Sequence, residues 1–199
     1  MRSLTFCVVL TWLIGVPAIA QDLATVFNGS DFEGWRVEPE GDNHWWKVEE
    51  GGVLKLENGP EKKGSTLWTK KEFRNFVMEF DFKMGVGTVD TGVYVRNSKE
   101  QIQIGISGSL KRDMTGSPYI SGKGYPVEAK GVKELLKLDG WNQMTIVAKG
   151  KNYCVWLNGK HVMSYDSESA IEKGPIGIQL HGNREMSAYY RNIRLAELR

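Results

Sequence analysis

The stretch GPIGIQLHG, residues 174–182, decides the fold class. Its three large apolar residues alternate with glycine, Gln179 and His181. Alternation with a period of two is typical of a strand that turns one face to a core and the other face elsewhere. If this second face met only bulk water, Lys, Thr or Glu would serve there as well as the amide of Gln179 and the imidazole of His181. We therefore expect the second face to look onto a site.

The same alternation occurs along the rest of the chain. It marks residues 76–83 (FVMEFDFK), 92–96 (GVYVR) and 101–106 (QIQIGI). YCVWL and KHVMS flank Asn158-Gly159, the sequence of a two-residue type I′ hairpin turn, which needs positive φ at both central positions. Many short strands without a convincing amphipathic helix predict an all-β fold, an antiparallel β-sandwich or jelly roll.

The first twenty residues, MRSLTFCVVLTWLIGVPAIA, predict a secretory signal peptide. Arg2 provides the positive start, an apolar run follows, and Ala18-Ile19-Ala20 is a small-x-small cleavage site. The apolar run is short for a bilayer span, so no membrane span is expected after cleavage. This interpretation predicts a signal peptide over residues 1–20 and one domain over residues 21–199, secreted or periplasmic.

Charge and cysteine content exclude several classes of function. Lys and Arg number 26 and Asp and Glu 24, a net charge of +2, and the two signs are interspersed. Nucleic-acid or membrane-surface binding therefore has no electrostatic support. Cys7 lies in the predicted signal peptide, which leaves Cys154 alone in the predicted domain. An intramolecular disulfide and a cysteine-rich metal site are both excluded.

The outward-facing strand positions carry the chemistry of a sugar site. Sugar hydroxyls need planar, bidentate hydrogen-bonding partners, and sugar rings need an aromatic face. The long Gly-rich stretch 107–140 fits no strand pattern, and its tyrosines and prolines favour an ordered functional loop. The candidates are Glu79, Asp81 and Lys83; Tyr94 and Arg96; Gln101 and Gln103; Gln179 and His181; and Tyr119 from the long stretch.

Each candidate also has a structural interpretation, which the sequence leaves open. Glu79, Asp81 and Lys83 could form a solvated strand face with cross-strand ion pairs. Arg96 could be an ion-pair partner, and a single strand histidine such as His181 could be structural. The Glu-x-Asp pattern is similar to that of retaining glucanases, but here the run ends in a lysine where a further acid would be needed.

Five segments, taken in order, resemble the 3-keto-disaccharide hydrolase domain family. Besides GPIGIQLHG they are VFNGSDFEGW (26–35), LWTKKEFRNFVMEFDFK (67–83), TGVYVR (91–96) and WNQMTIVAKGKNYCVWLNGK (141–160). The resemblance runs from about Val26 to Leu198. It implies a concanavalin A-like β-sandwich and action on sugars oxidised at C3, with carbohydrate as the partner.

The chain departs from the family pattern at Gln101. The family often has an acidic residue there, within a Gly-Tyr-Glu-Val-Gln run. If that carboxylate serves the family as a base or metal ligand, this chain has lost the role or moved it to Asp81, Glu100 or His181. Loss of the role would favour a non-catalytic, lectin-like glycan-binding module. A structural or interaction domain, the third hypothesis, has no positive support in the sequence.

The implied chemistry needs one base and groups that stabilise an enolate. A C3 ketone acidifies the hydrogen at C2. Once a base has removed this hydrogen, the C1 substituent can leave, and addition of water then makes the net reaction a hydrolysis. His181 is the predicted base, because the unperturbed pKa of histidine is about 6.5. Asp81 is the alternative base, and Arg96 and Lys83 are the predicted enolate stabilisers. No cofactor is expected; a divalent metal is compatible with the site, but the visible ligands are too few to predict one. The predicted substrate-binding residues are Tyr94, Gln101, Gln103, Gln179, Glu79 and Tyr119.

Overall fold

Two antiparallel sheets build the structure, a computed structural model that describes residues 23–41 and 43–199. The first sheet contains β1 (Ala24–Thr25), β3 (Trp46–Glu49), β4 (Val53–Glu57), β6 (Phe76–Gly87), β10 (Asn142–Lys149), β11 (Asn152–Leu157), β12 (Lys160–Asp166) and β14 (Met186–Glu197). The second contains β2 (Trp35–Glu38), β5 (Ser65–Phe73), β7 (Asp90–Val95), β8 (Glu100–Gly105), β9 (Pro118–Ile120) and β13 (Gly174–Leu180). A 3₁₀ turn at Asn43–Trp45 and the four-residue helix α1 (Val132–Leu135) complete the described elements.

The strand order places the predicted site strands next to one another. The first sheet runs β12-β11-β10-β6-β14-β4-β3, with β1 beside β14, and the second runs β2-β5-β13-β7-β8-β9. Strand β13, which holds most of the GPIGIQLHG stretch, is therefore central in the second sheet, and β7, β8 and β9 follow it on one side. Strand β6, with Glu79, Asp81 and Lys83, belongs to the first sheet.

The inner faces of the two sheets share one hydrophobic core. Ile176, Ile178 and Leu180 of β13 are buried, as their alternation predicts, and Phe80 and Phe82 of β6 are buried with them in the same cluster. Burying a side chain of this size contributes about 1.5–3 kcal/mol, so the packed inner faces supply most of the driving force for folding. The all-β sandwich is confirmed.

The predicted hairpin between β11 and β12 is confirmed. Asn158 and Gly159 have φ values of 49° and 79°, and Leu157 pairs with Lys160 across the turn. Positive φ at both central positions is what a type I′ turn requires, and its twist matches that of the flanking strands.

The predicted signal peptide, residues 1–20, lies outside the described residues. Within the part of the chain that the structure describes, no helix is long and apolar enough to cross a membrane.

Candidate active site

A hollow of about 320 Å³ lies on the outer face of the second sheet, across β13, β7, β8 and β9. Six of the ten predicted site residues line it. These residues meet because they lie on adjacent strands, and the outward-facing side chains of adjacent strands stand next to one another in an antiparallel sheet. The six are Tyr94, Gln101, Gln103, Tyr119, Gln179 and His181.

Aromatic rings form one wall of the hollow. Tyr94 pairs with Gln101, and Gln101 pairs with Tyr119, so these three residues form one rung across β7, β8 and β9. The Tyr119 ring meets the Tyr125 ring edge to face, with centroids 5.3 Å apart. The long stretch 107–140 thus takes part in the site: it adds β9 to the sheet and places two phenols over its polar face.

Two carboxamides and a phenol form a chain of hydrogen bonds in the floor. The Gln101 amide donates to Gln179 Oε1 over 2.9 Å, and the Gln179 amide donates to the Tyr94 hydroxyl over 2.6 Å. Gly92 makes this possible, because a Cβ at that position would collide with the Gln101 amide. Burial raises the pKa of Tyr94, so the phenol stays protonated. Since its oxygen already accepts from Gln179, its proton is available to a ligand.

Trp68 of β5 holds the Tyr94 ring of β7 in place across the intervening strand β13. The two rings stack with centroids 5.3 Å apart and planes 16° apart. Trp68 reaches this position by lying over Gly177, where a Cβ would come within 2.6 Å of the indole. The packed indole therefore fixes the direction in which the Tyr94 hydroxyl points.

The imidazole of His181 lies at the edge of the hollow, with its Nδ1 atom in contact with the backbone. Its Nδ1 lies 2.7 Å from the carbonyl oxygen of Gly182, which can only accept a hydrogen bond. In the neutral imidazole Nδ1 therefore carries the proton, and Nε2 keeps its lone pair. The side chain is 36 % exposed, so a ligand in the hollow can reach it. This tautomer is the one that a general base requires.

Asp90 and Arg184 complete the polar end of the hollow, and the sequence analysis missed both. Asp90 is 3 % exposed; its Oδ1 accepts from the Gln103 amide over 2.7 Å, and its Oδ2 lies 3.1 Å from Arg184 Nη2 and 4.0 Å from His181 Nε2. The guanidinium fits because position 108 is glycine: a Cβ there would come within 2.7 Å of Arg184 Nη2.

The sequence contained a signal for Asp90 but none for Arg184. Asp90 directly precedes the predicted strand segment TGVYVR, so an acid next to the site strands was visible in the sequence. Arg184 lies between β13 and β14, in a loop where no periodicity indicates the direction of a side chain.

The structure does not bring Glu79, Asp81 and Lys83 to the hollow. They lie on the outer face of β6, in the other sheet, so they cannot share a ligand with His181. Asp81, proposed as the alternative base, and Glu79, proposed to bind substrate, are engaged in ion pairs, and Lys83 covers aromatic rings. The partners are Arg194 for Glu79, Arg191 (3.1 Å) and Asn192 (2.8 Å) for Asp81, and Trp141 and Tyr189 for Lys83.

Arg96 is also absent from the hollow, because its backbone breaks the strand alternation. Its φ is 65°, β7 ends at Val95, and the side chain is buried with the residue 1 % exposed. The guanidinium donates to three backbone carbonyls, so it cannot reach an enolate oxygen, and the predicted role is replaced by a structural one. The three acceptors are the carbonyls of Arg74 (2.6 Å), Gly150 (2.8 Å) and Ile171 (3.1 Å).

Glu100, a candidate for the role lost at position 101, points into the interior. It is 1 % exposed and accepts hydrogen bonds from Tyr153, from Ser167 (2.8 Å) and from Ser169 (2.6 Å). Burial, together with this carboxylate, raises the pKa of Tyr153. Three hydroxyl donors compensate for the buried charge and leave Glu100 no contact with the hollow. The described residues contain no group of three or more His, Cys, Asp or Glu side chains positioned to hold a metal ion.

Comparison with known proteins identifies the family. The sequence model of the 3-keto-alpha-glucoside-1,2-lyase-like domain matches residues 22–196. The chain belongs to this family. Membership of the 3-keto-alpha-glucoside-1,2-lyase-like domain family supports a carbohydrate-related function. A search of the curated proteins gave no significant match.

Solved structures with the same fold include carbohydrate-related proteins. One candidate glycosyl hydrolase of Parabacteroides distasonis has a TM-score of 0.67 at 21% identity, over 90% of this chain and 95% of its own. A second from the same organism has a TM-score of 0.63 at 26% identity, over 89% of this chain and 100% of its own. The carbohydrate recognition domain of Emp46p has a TM-score of 0.61 at 12% identity, over 89% and 96%. These neighbours support a lectin-like β-sandwich.

Proposed function

We propose that the protein cleaves glycosides oxidised at C3, with His181 as the base that takes the C2 proton. The observation that carries this proposal is the 2.7 Å contact between His181 Nδ1 and the Gly182 carbonyl oxygen, from which we assign the proton of the neutral ring to Nδ1 and the lone pair to Nε2 at the edge of the hollow. A base near neutral pH is what C2 deprotonation needs, and a positioned base typically contributes 10²–10⁴-fold in rate.

The proposed reaction proceeds in two stages. His181 Nε2 takes the C2 proton, the C2–H electron pair forms an enolate with the C3 carbonyl, and the negative charge moves to the C3 oxygen. The enolate then expels the C1 oxygen substituent, which takes up a proton from solvent, and leaves an enone with a C1–C2 double bond. The His181 imidazolium releases its proton to solvent. Addition of water across this bond, with hydroxyl at C1 and a proton at C2, gives the hydrolysis product. Release of the enone before this addition makes the net reaction a lyase reaction.

The other residues of the hollow fit the remaining requirements. Arg184 supplies positive charge, and the Tyr94 hydroxyl supplies a proton for a hydrogen bond; both suit an oxygen that becomes negatively charged. Removing one such stabilising group typically costs on the order of 10²–10³ in rate. Gln101, Gln103 and Gln179 offer planar amides to sugar hydroxyls, and Tyr119 offers a ring face.

A direct test uses the purified protein and methyl 3-keto-α-glucoside, with the reducing product measured over time. We expect turnover by the unaltered protein and a loss of at least about 10²-fold in His181→Ala. His161→Ala is the matched control: that imidazole lies on the other sheet, edge to face with Trp156, and its loss should leave the rate unchanged. Equal rates in both variants would refute the assignment of the base.

A non-catalytic glycan-binding module is the second candidate function. Gln101 favours it, because this amide stands where the family often has an acid and is bonded to another amide. The structural likeness to the carbohydrate recognition domain of Emp46p is consistent with it. This alternative predicts heat of binding with unoxidised oligosaccharides, lost in Gln101→Ala, together with no turnover of any 3-keto-glycoside.

We also propose that the domain acts outside the cytoplasm. The positive start, apolar run and small-x-small site of residues 1–20 support this proposal. Amino-terminal sequencing of the protein recovered from the periplasm or culture fluid should begin near Gln21. Recovery of an uncleaved chain in the cytoplasm would contradict it.

A further inference from the structure

We propose that Asp90 is the positioning residue that stabilises the protonated form of His181 and so sets the pH range of the site. The inference rests on the proposed function only for its effect on turnover. Its electrostatic part concerns Asp90, His181 and Arg184 alone.

The first observation is the burial of the Asp90 carboxylate. Only 4 % of its side chain is exposed, and its Oδ2 is fully buried without a hydrogen bond in the described structure, whereas Oδ1 accepts from Gln103. A buried carboxylate oxygen without a hydrogen bond carries a desolvation cost, which the ion pair with Arg184, 3.1 Å away, offsets. Since Oδ2 is enclosed, the charge of the carboxylate acts on the groups packed around it, Arg184 and His181.

The second observation is the relation between Oδ2 and the imidazole. His181 Nε2 lies 4.0 Å from Asp90 Oδ2, beyond hydrogen-bond distance. With Nδ1 held by Gly182, both facing atoms are acceptors in the neutral state, and nothing bonds them. Once Nε2 has taken a proton, it becomes a cationic donor opposite an anionic acceptor, and a small rotation of the ring closes the gap. The position of Asp90 therefore favours the protonated imidazole, which is what the proton transfer produces.

The other charged and titratable groups around His181 determine whether loss of the Asp90 charge makes the imidazole easier or harder to protonate. Arg184 is the opposing charge, since its cation lies 3.1 Å from the same Oδ2 and disfavours a second positive charge nearby. Glu38 shares a second hollow with His181 but is exposed and paired with Arg36. The remaining groups are the phenols Tyr94, Tyr119 and Tyr125, which line the main hollow; burial raises the pKa of Tyr94 and Tyr125, which are neutral at physiological pH.

Removal of the negative charge should make the imidazole harder to protonate. In Asp90→Asn the shape is preserved, the anion is lost, and the Arg184 cation is left uncompensated, so both changes act in the same direction. An opposite charge at this distance typically shifts a titration by 1–3 units, and we expect the titration midpoint of His181 to fall by about one pH unit.

The test is NMR titration of the imidazole Cε1–H signals of the full protein from pH 4 to 9. The chain has 3 histidines, and His181→Ala assigns the relevant signal. Asp113→Asn is the matched control, because this partly buried acid is bonded to Thr115 and does not line the hollow. A fall of about one unit in Asp90→Asn, and no change in the control, supports the proposal. An unchanged His181 midpoint in Asp90→Asn overturns it, and Asp90→Ser provides the same readout if the amide variant does not fold.

A kinetic measurement separates this inference from the proposed function. In turnover of methyl 3-keto-α-glucoside, the acid limb of the kcat/KM profile of Asp90→Asn should move to lower pH by as much as the NMR midpoint of His181 does. The plateau of the same profile should fall by about 10-fold or more. A purely structural role would lower the plateau without moving the limb. Absence of turnover in the unaltered protein would overturn the proposed function, and the NMR titration would still decide the role of Asp90.

Discussion

Replacing Arg96 by methionine tests whether this residue supports the fold or the chemistry. Its guanidinium is buried in the protein interior and bonded to the carbonyls of Arg74, Gly150 and Ile171. These acceptors lie in three separate connections, after β5, between β10 and β11, and before β13. Methionine approximates the length of the side chain but offers no donor, so all three connections lose a common anchor.

The expected cost follows from the bonds that are lost. Each hydrogen bond from a charged donor contributes about 1.5–3 kcal/mol, and each buried carbonyl left unpaired costs about 1–3 kcal/mol. Removal of a buried cation also relieves its own desolvation, and water can reach carbonyls in surface turns, so the contributions do not simply add. We expect the free energy of unfolding to fall by about 3–5 kcal/mol, a large part of the 5–15 kcal/mol typical of a domain. For a domain of this size, the melting temperature should fall by about 10 °C.

The assay is urea unfolding followed by tryptophan fluorescence, since the chain contains 7 tryptophans. Rates per folded molecule, measured well below the melting temperature, should stay within about 3-fold of the unaltered protein, because Arg96 lies outside the hollow. Arg96→Lys should be intermediate in stability, since one ammonium cannot span three acceptors in the way that a planar guanidinium does. Normal stability combined with loss of turnover in Arg96→Met would refute the structural role.

Three further predictions follow from the same geometry. The double variant Asp81→Asn/Lys83→Met should keep kcat/KM within about 2-fold, because both residues lie on the opposite sheet; a loss of 10-fold or more would contradict the placement of the site. Gly92→Ala should weaken glycan binding by about 10-fold in calorimetry, because its Cβ displaces the Gln101 amide, and should lower stability by about 1–3 kcal/mol, because the same Cβ also meets the Ile102 carbonyl oxygen; unchanged binding would refute the role of that amide. Burial raises the pKa of Asp113, so the unfolded chain releases this proton more readily and the contribution of Asp113 to stability falls as pH rises through its titration. Asp113→Asn should therefore flatten the pH dependence of the melting temperature as the pH rises above the usual aspartate pKa of about 3.9, and an unaltered curve would show that the burial has no such effect.

The alternation in GPIGIQLHG was sufficient to predict which side chains point away from the core. Gln179 faces outward on β13, and His181, which directly follows the strand, continues the alternation; Gln101 and Gln103 face outward on β8 in the same way. Periodicity gives the face of a strand relative to its own sheet, and on the second sheet that face forms the hollow.

The same periodicity could not assign β6 to a sheet. Its outward residues Glu79 and Asp81 alternate as regularly as those of β13, but the strand pairs with β10 and β14 in the other sheet. Sheet membership depends on long-range pairing, which a local pattern does not encode. Arg96 was misplaced for a different reason, since its positive φ ends the pleat and reverses the direction in which alternation would have pointed it.

Loop residues were the least predictable part of the site. Arg184 enters the hollow from a connection, and Tyr125 does so from the long stretch after β9. Their positions depend on neighbours such as Gly108, whose missing Cβ leaves space for the guanidinium. Such contacts become visible only when the strands are assembled.

Turnover of methyl 3-keto-α-glucoside in D₂O tests the central claim most directly. If His181 takes the C2 proton and the product regains one from solvent, the 3-keto-glucose formed should carry one deuterium at C2, above the level exchanged without protein. His181→Ala should form neither the product nor the deuterated sugar above that level. Enzymatic product that keeps its original hydrogen at C2, together with an unchanged rate when C2 of the substrate carries deuterium, would show that the C1 bond breaks without an enolate, and it would contradict the account.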